Sequence, residues 1–345
     1  MLASGAIALT SLKNIFGQDA AIEWLRRAYL ADRVPHGLLF AGPVGVGKAS
    51  TAAALAALFL CERPKDASAC GSCASCRVFA AGNHPDFHVL TKELIRYHDK
   101  TGKSKGIDLS IHVLRPELIE PAGRKAVMGR GKVFVIEQAE LMNPQAQNAL
   151  LKTLEEPAGR TLIVLLTDQP GALLATIRSR CQTVRFAALD PAQVRKELER
   201  RGVDRAMATT AAELARGSLG VALKWIEDGV IASAREILDQ IDGILSGRPA
   251  PDLPAWFKKA AEAYAEKQLE RDELASEDQA TREGYALYLT VAGERIRPRL
   301  AEATEPAELE RACAAIDALA RAEAYLDANV NTALVFQQLA VALER

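Results

Sequence analysis

A glycine-rich segment at residues 42–49, Gly-Pro-Val-Gly-Val-Gly-Lys-Ala, has the clearest chemical potential in the chain. It follows a predicted buried strand and opens a predicted helix. In this context Gly42, Gly45 and Gly47 let backbone N–H groups approach a phosphate, and Lys48 reaches the terminal phosphates of a nucleotide. The spacing predicts a phosphate-binding loop with ATP or ADP as candidate ligand; the alternative is a glycine-rich turn without a ligand.

Two positions that ATP hydrolysis requires hold unsuitable residue types. The residue after the lysine should offer a hydroxyl to Mg²⁺, but it is Ala49, and Ser50 lies about 100° further round the helix. A predicted strand at 133–136 is followed by Glu137 and Gln138 rather than by two acids. Because a carboxamide is not basic near neutral pH, Gln138 cannot act as a general base. The sequence therefore predicts a nucleotide-binding fold that does not hydrolyse ATP.

Four cysteines share one short segment with the pattern C-x₈-C-x₂-C-x₂-C, and they are Cys61, Cys70, Cys73 and Cys76. Two consecutive C-x₂-C steps let thiolates converge on one ion, as in a tetrahedral zinc site. An iron–sulfur cluster is the chemical alternative, because the same spacing occurs there. Cys181 and Cys313 are expected to be small buried apolar residues.

The elements that must position these groups alternate between strand and helix over the first 187 residues. Short apolar runs bounded by turn or helix signals are typical of strands buried on both faces of a parallel sheet. Such runs occur at 37–41, 87–90, 133–136, 162–166 and 183–186. Predicted helices, such as 20–31 and 144–154, lie between them. The alternation predicts an α/β fold built on a parallel sheet.

From about residue 191 the strand signal disappears and the chain is predicted to be helical. Helices are expected at 191–201, 207–216 and 219–227. Asn143 and Asp190 each precede a proline and are predicted to cap helices. The stretch 247–251, Gly-Arg-Pro-Ala-Pro, is the best candidate for a linker.

Composition and charge place the chain among ordinary globular proteins. Of 345 residues, 49% are hydrophobic and 25% charged, which fits two or three domains. No apolar run approaches the roughly 20 residues needed to span a bilayer, so we expect a cytoplasmic protein without a membrane partner. Residues 1–200 hold 26 Lys and Arg against 19 Asp and Glu, and residues 201–345 hold 17 against 25. The second part is not expected to bind nucleic acid alone.

Several segments resemble the AAA+ subunits of bacterial clamp loaders. The sequence Asn-Ala-Leu-Leu-Lys-Thr-Leu-Glu-Glu-Pro at 148–157 is similar to their long-helix signature, and Ser-Arg-Cys at 179–181 resembles a motif of the family. Phe-Gly-Gln at 16–18 and Val-Pro-His at 34–36 resemble segments of the family's nucleotide pocket. The resemblance covers residues 14–225 in detail and the helical C-terminal region only coarsely.

The resemblance implies a hetero-pentameric loader in which this chain joins subunits of the gamma/tau and delta types. Such a loader opens a ring-shaped sliding clamp and closes it round primer–template DNA. The resemblance also implies that Arg180 is an arginine finger for a neighbour's ATP, where a guanidinium supplies roughly 10³–10⁵ in rate. The alternative is that Arg180 ends a helix and pairs with a surface acid. Thr167 would occupy the first sensor position, and the cysteines would form a structural zinc module.

A third altered position supports a subunit without its own ATPase. Hydrolysing members of the family carry an arginine in a Gly-Ser-(Leu/Met)-Arg segment of the lid, whereas residues 217–220 here read Gly-Ser-Leu-Gly. Together with Ala49 and Gln138, Gly220 alters three parts of one catalytic site. This pattern resembles the clamp-loader subunit type that retains the AAA+ fold and the arginine finger but lacks its own ATPase. Nucleotide binding itself is left open.

The sequence thus predicts three domains: an AAA+ core over 1–187 with a zinc-binding insertion at 61–76, a helical lid over 188–246, and a helical collar for oligomerisation over 247–345. The predicted function is an ATPase-deficient clamp-loader subunit that supplies Arg180 in trans. One alternative is an ATP-hydrolysing loader subunit, which would turn over ATP alone with Mg²⁺. A second is an AAA+ DNA-remodelling ATPase outside replication, which would need an acidic pair and a lid arginine.

Overall fold

The computed structural model describes residues 11–94, 98, 108–246, 248, 252–271, 276–328 and 330–343. The chain divides into two compact units, one made of Met1–Gln193 with Gly217–Gly220 and the other of Val194–Arg216 with Val221–Arg345. The predicted linker at 247–251 lies outside the described residues except for Arg248, and the division into core, lid and collar stays a prediction. Over the described ranges, no helix is both long and apolar enough to cross a bilayer.

A five-stranded parallel sheet forms the centre of the first unit. Its strands are β1 (Gly37–Ala41), β2 (Phe87–Leu90), β3 (Lys132–Ile136), β4 (Thr161–Thr167) and β5 (Gln182–Arg185). Their spatial order is β2-β3-β4-β1-β5, and every neighbouring pair is parallel. This sheet, with the glycine-rich loop directly after β1, confirms the predicted α/β AAA+ core.

Alternating side chains divide the core into two layers, one on each face of the sheet. Leu38 and Phe40 of β1 belong to one layer, whereas Leu39 belongs to the other. The strands β1, β3 and β4 are buried along their whole length, as predicted. The strands β2 and β5 are partly exposed, contrary to the prediction, because each has a sheet neighbour on one side only.

Helices cover both faces of this sheet. One layer receives α1 (Asp19–Leu30), α2 (Lys48–Leu60) and α3 (Ala74–Ala80), and the other receives α4 (Ile111–Leu114), α5 (Glu120–Ala122), α6 (Pro144–Glu155) and α7 (Ala175–Arg178). A π-helical stretch joins α4 to α5. Asn143 caps α6 as predicted, since its side chain accepts a hydrogen bond from the N–H of Ala146 at 2.9 Å.

From residue 191 the described chain is helical, as predicted. The helices are α8 (Pro191–Arg200), α9 (Arg205–Leu214), α10 (Leu219–Glu227), α11 (Val230–Leu245), α12 (Leu253–Arg271), α13 (Glu277–Glu302), α14 (Pro306–Asp327) and α15 (Thr332–Leu343). Asp190 serves as the expected cap of α8, because its carboxylate accepts from the N–H of Ala192 at 2.7 Å.

Aromatic rings hold the C-terminal helices together. Phe257 of α12 stacks on Phe336 of α15 with ring centroids 4.4 Å apart, and Tyr285 of α13 lies 4.9 Å from the same ring. Cys313, which was expected to be buried, is exposed on α14. Its helix turns a face of small residues and leucines inward, including Ala312, and Cys313 lies outside that face.

Candidate functional site

The carboxyl end of β1 leads directly into the predicted phosphate loop and helix α2. Gly45 and Gly47 adopt φ angles of 73° and 107°, a conformation that L side chains rarely adopt. The N–H of Gly42 donates to the carbonyl oxygen of Thr167 at 3.1 Å, and a Cβ at Gly42 would lie 2.2 Å from the carbonyl oxygen of Phe186. All three predicted glycines therefore fill backbone roles that the fold itself requires.

Lys48 is buried and turned onto its own loop. Its Nζ donates to the carbonyl oxygens of Gly42 and Pro43, the second at 2.6 Å. Burial lowers the pKa of Lys48, while the nearby carboxylates of Asp168 and Glu140 act in the opposite direction. The ammonium group therefore has protein carbonyls as ligands and protein carboxylates as counter-charges.

Sequence reasoning missed the two acids beside Lys48. Glu140 comes shortly after β3 and Asp168 directly after β4. Burial raises the pKa of Glu140 and the charge of Asp168 raises it further, although a hydrogen bond with Thr167 favours the ionised form. Its Oε2 atom is buried and has no hydrogen-bond partner among the described residues. Their positions after adjacent parallel strands were the signal that could have revealed them.

Two of the three altered positions, Ala49 and Gln138, lie at this carboxyl edge of the sheet. Ala49, in the first turn of α2, packs partly buried against the apolar core. Glu137 follows β3 and donates its N–H to the carbonyl oxygen of Leu90 at 2.9 Å. Gln138 is exposed, and its backbone adopts the left-handed conformation with φ of 50°. This edge therefore offers no hydroxyl at position 49 and no carboxylate at position 138.

Gly220 lies directly against the phosphate loop. Its N–H donates to the carbonyl oxygen of Gly45 at 2.8 Å. A Cβ at position 220 would lie 2.8 Å from that oxygen and 3.0 Å from the Cα of Gly45. Nearby, Gly217 has φ of 78° and accepts a hydrogen bond from the N–H of Leu189 at 2.9 Å. Any larger residue at position 220, an arginine included, would push this segment away from the loop.

The segments 16–18 and 34–36 are tied to other parts of the core. The side chain of Gln18 pairs with the backbone of Ala187, donating from Nε2 at 2.8 Å and accepting at Oε1 at 3.1 Å. His36 precedes β1, and its Nε2 lies 2.6 Å from the carbonyl oxygen of Leu154. Residues 34–36 therefore lie at the opposite end of β1 from the phosphate loop.

Arg180 follows α7 and lies at the amino edge of the sheet, just before β5. Its Nε donates to Oε1 of Glu155 at 2.6 Å, and Nη2 forms an ion pair with the same oxygen. Its Nη1 donates to the carbonyl oxygen of Thr176 at 3.0 Å. The pairing with a surface acid is thus present, while 34% of the Arg180 side chain is exposed. Cys181 is buried as expected, which raises its pKa to about 12.

The four predicted cysteines come together, with all Sγ atoms within 4.8 Å of one another. The Sγ atoms of Cys61 and Cys73 are 4.0 Å apart, as are those of Cys70 and Cys76. Four ligands at 2.3 Å from a tetrahedral ion lie about 3.8 Å apart, so this cluster can hold a single metal ion. An iron–sulfur cluster would place the thiolates on several irons and needs wider spacing.

Backbone N–H groups point at the sulfur atoms in the manner of a metal site. The N–H of Cys70 donates to Cys61 at 3.2 Å, and that of Cys73 donates to Cys70 at 3.3 Å. Hydrogen bonds from the backbone of Ser72 and Cys73 lower the pKa of Cys70 to about 6, whereas burial raises the pKa of Cys61 and Cys76.

A parallel sheet of this strand order, with a phosphate loop after its first strand and the segment Gly217–Gly220 against that loop, defines a P-loop protein of the AAA+ class. A family model described as DNA polymerase III, delta subunit, matches residues 17–190, which is half of the chain. The chain belongs to this family.

Individual relatives carry related names. The DNA polymerase III subunit delta′ of Pseudomonas aeruginosa is 42% identical over 146 residues, which cover 42% of this chain and 41% of the relative. The delta′ subunit of Escherichia coli is 36% identical over 220 residues, covering 63% and 62%. The DNA polymerase III subunit tau of Salmonella typhimurium is 33% identical over 186 residues, covering 54% and 27%. The chain thus spans less than two thirds of each of these relatives.

Replacing Glu140 with Gln should stabilise the protein at pH 8 and less so at pH 4.5. The raised pKa means that the carboxyl costs folding free energy once pH exceeds about 4.3, where the unfolded chain ionises, and the cost grows until the folded pKa is passed. Urea denaturation at both pH values measures the difference. Glu156→Gln, at an exposed acid, is the matched control. A loss of stability at pH 8 in E140Q would contradict this assignment.

Proposed function

We propose that this chain is a clamp-loader subunit of the replicative DNA polymerase that does not hydrolyse ATP itself. It would join subunits of the gamma/tau and delta types in a hetero-pentamer that opens a sliding clamp and closes it on primer–template DNA. The proposal rests on one combined observation. This member of the polymerase III delta family has a phosphate loop, but three positions that ATP hydrolysis requires are altered, to Ala49, Gln138 and Gly220.

The chemistry of those three positions explains the lack of hydrolysis. A methyl group at position 49 cannot ligate Mg²⁺, and the amide of Gln138 cannot take a proton from the attacking water. Gly220 brings no charge to the phosphates. Each change removes a different contribution to phosphoryl transfer, so restoring one of them alone would not restore turnover.

Nucleotide binding is proposed to be weak or absent. A phosphate group at the loop would have to compete with the carbonyl oxygens of Gly42 and Pro43 for Nζ of Lys48. It would also bring negative charge close to Glu140 and Asp168, which already surround that ammonium group. In a partly buried site such like-charge contacts are poorly screened. Thr167, the sensor candidate, hydrogen-bonds Glu140 in this arrangement.

Arg180 is proposed to act as an arginine finger on the ATP of a neighbouring subunit. Two features support this role: the side chain is exposed at the sheet edge opposite the chain's own phosphate loop, and its guanidinium keeps donors without partners among the described residues. The finger would stabilise charge that develops on the neighbour's phosphates.

The cysteine cluster is proposed to hold a structural zinc ion through Cys61, Cys70, Cys73 and Cys76. Four protein ligands leave no open position for a substrate water, which separates a structural site from a catalytic one. The cluster joins the end of α2 to the start of α3, so the ion would stabilise a loop-rich insertion. The helical lid over 188–246 and the oligomerising collar over 247–345 are proposed as the remaining domains.

The ATP-hydrolysing loader subunit is the second candidate, because a tau subunit is among the relatives at 33% identity. It demands Mg²⁺-dependent turnover, which the altered positions oppose. The remodelling ATPase outside replication has no support, since the family and the named relatives belong to DNA polymerase III.

The purified chain alone should release no phosphate from ATP above background in the presence of Mg²⁺. The reason is that neither a Mg²⁺ hydroxyl ligand nor a general base is present at positions 49 and 138. A continuous phosphate-release assay measures this. Turnover that depends on Mg²⁺ and disappears in Lys48→Ala would establish the hydrolysing alternative, whereas turnover that persists in K48A would come from a contaminant.

Replacing Arg180 with Ala should lower the ATPase rate of a loader reconstituted with gamma/tau and delta subunits and clamp. The hydrolysis rate at the ATP site that Arg180 contacts should fall roughly 10³-fold or more. The total ATPase rate of the loader should therefore fall by the fraction that this one site contributes. Arg178→Ala, an exposed arginine two residues away, is the matched control. Gel filtration should find both variants assembled; an unchanged rate in R180A would exclude the finger.

The purified protein should contain about one zinc ion per chain, and Cys73→Ser should reduce this to nearly none. Loss of the ion should lower the thermal midpoint, because metal binding contributes folding free energy to the insertion. Elemental analysis and thermal denaturation measure both effects. Cys313→Ser, an exposed cysteine outside the cluster, should keep its zinc. Iron in place of zinc, with visible absorption, would establish the alternative centre.

A further inference from the structure

The guanidinium of Arg180 is held on two sides. Oε1 of Glu155 accepts from Nε at 2.6 Å and pairs with Nη2, and the carbonyl oxygen of Thr176 accepts from Nη1 at 3.0 Å. An arginine has five N–H donors in a fixed plane, so three of them are engaged. The remaining two, one on each terminal nitrogen, have no partner among the residues that the structure describes. The plane of the group is therefore fixed while two donors stay available.

Glu155 is anchored on a rigid element. It is the last residue of α6, whose Leu150 and Leu154 are fully buried in the core. The carbonyl oxygen of Leu154 lies 2.6 Å from Nε2 of His36. The carboxylate of Glu155 is therefore held at a defined position on the amino edge of the sheet.

The backbone of Arg180 is fixed against the same edge. Gly37, the first residue of β1, lies so close that a Cβ there would be 3.1 Å from the carbonyl oxygen of Arg180 and 3.4 Å from Sγ of Cys181. Only the long, flexible side chain of Arg180 needs further restraint, and Glu155 is the acid that provides it.

We propose that Glu155 is a positioning residue for the arginine finger. It holds the guanidinium so that its two unengaged N–H groups face the phosphate oxygens of a neighbouring subunit's nucleotide. This inference rests on the proposed function of Arg180 and adds a residue to it. Glu155 does not touch the nucleotide; it fixes the orientation of the group that does.

The size of the expected effect follows from the exposure of the pair. Side-chain exposures of 34% for Arg180 and 47% for Glu155 make this a surface ion pair, which adds little to stability. Losing Glu155 should therefore leave the fold and the assembly intact. It should instead leave the finger free to sample other rotamers. A misplacement of about 1 Å at a reacting site can cost roughly 10²-fold in rate, and because the bond to Thr176 remains, we expect a smaller fall of about tenfold.

The test uses the reconstituted loader with three single variants: Glu155→Ala, Glu155→Gln and the control Glu156→Ala. A double variant combines Glu155→Ala with Arg180→Ala. Glu156 is the adjacent exposed acid, and it forms no ion pair among the described residues. In E155A, kcat at the finger-dependent site should fall about tenfold with KM for ATP unchanged, since orientation affects the transition state rather than ATP binding. In E155Q the amide oxygen still accepts from Nε, so part of kcat should return.

The double variant separates positioning from a general structural effect. If Glu155 acts through Arg180, then E155A should cause no further loss of kcat in the R180A background. A kcat in E155A equal to or above that of the unmodified loader would overturn the proposal. Glu155 would then have no effect on catalysis by Arg180, or would lower it. An equal fall in E156A, or additive losses in the double variant, would also overturn it. If R180A itself leaves the rate unchanged, the finger fails, and the proposed function of Arg180 fails with it.

Discussion

The parallel arrangement of the strands is the constraint that sets the positions of both the phosphate loop and Arg180. Parallel strands place their carboxyl ends at one edge of the sheet and their amino ends at the other. Lys48 and Asp168 therefore lie at one edge, and Arg180 lies at the other. β1 runs from beside Arg180 to the phosphate loop, and its five residues at about 3.3 Å each span roughly 16 Å. The guanidinium of Arg180 is held at the amino edge by Glu155 and Thr176, so it does not reach a phosphate at its own loop.

Packing gives the phosphate loop a structural role that does not depend on ATP hydrolysis. Gly42 sits against the carbonyl of Phe186, and Gly45 accepts the hydrogen bond from Gly220. These close backbone approaches belong to the fold, because a side chain at Gly42 or Gly220 would collide with main-chain atoms. The buried ammonium of Lys48 is likewise satisfied by carbonyls of the loop. The loop therefore keeps its shape for structural reasons, whether or not a nucleotide binds there.

Local patterns in the sequence predicted the elements well and their contacts less well. The central strands were predicted from short apolar runs, and the cap of α6 was predicted from Asn143 directly before the helix. Both signals lie within a few consecutive residues of the sequence. The partners of Lys48 and Arg180 are not. Glu155 meets Arg180 across 25 positions of sequence, and Gly220 meets Gly45 only where the chain returns to the first unit. The sequence itself has glycine at 220, but the steric reason for it, the close approach to Gly45, is visible only in the structure.

Helix α6 connects the two edges of the sheet. Near its start, Gln147 donates from Nε2 to the carbonyl oxygen of Met142 at 2.8 Å, and its Oε1 accepts from the N–H of Leu174 at 2.8 Å. These bonds tie the helix to the segment that leads into α7 and on to Arg180, while its last residue, Glu155, holds the guanidinium. Under the proposed function the chain's own loop does not cycle between ATP and ADP, so hydrolysis by a neighbouring subunit would leave the carboxyl edge of this sheet unchanged. α6 would then hold Glu155 in a constant position against Arg180, and a constant position is what the proposed arginine finger would need in order to discriminate the transition state from the bound substrate.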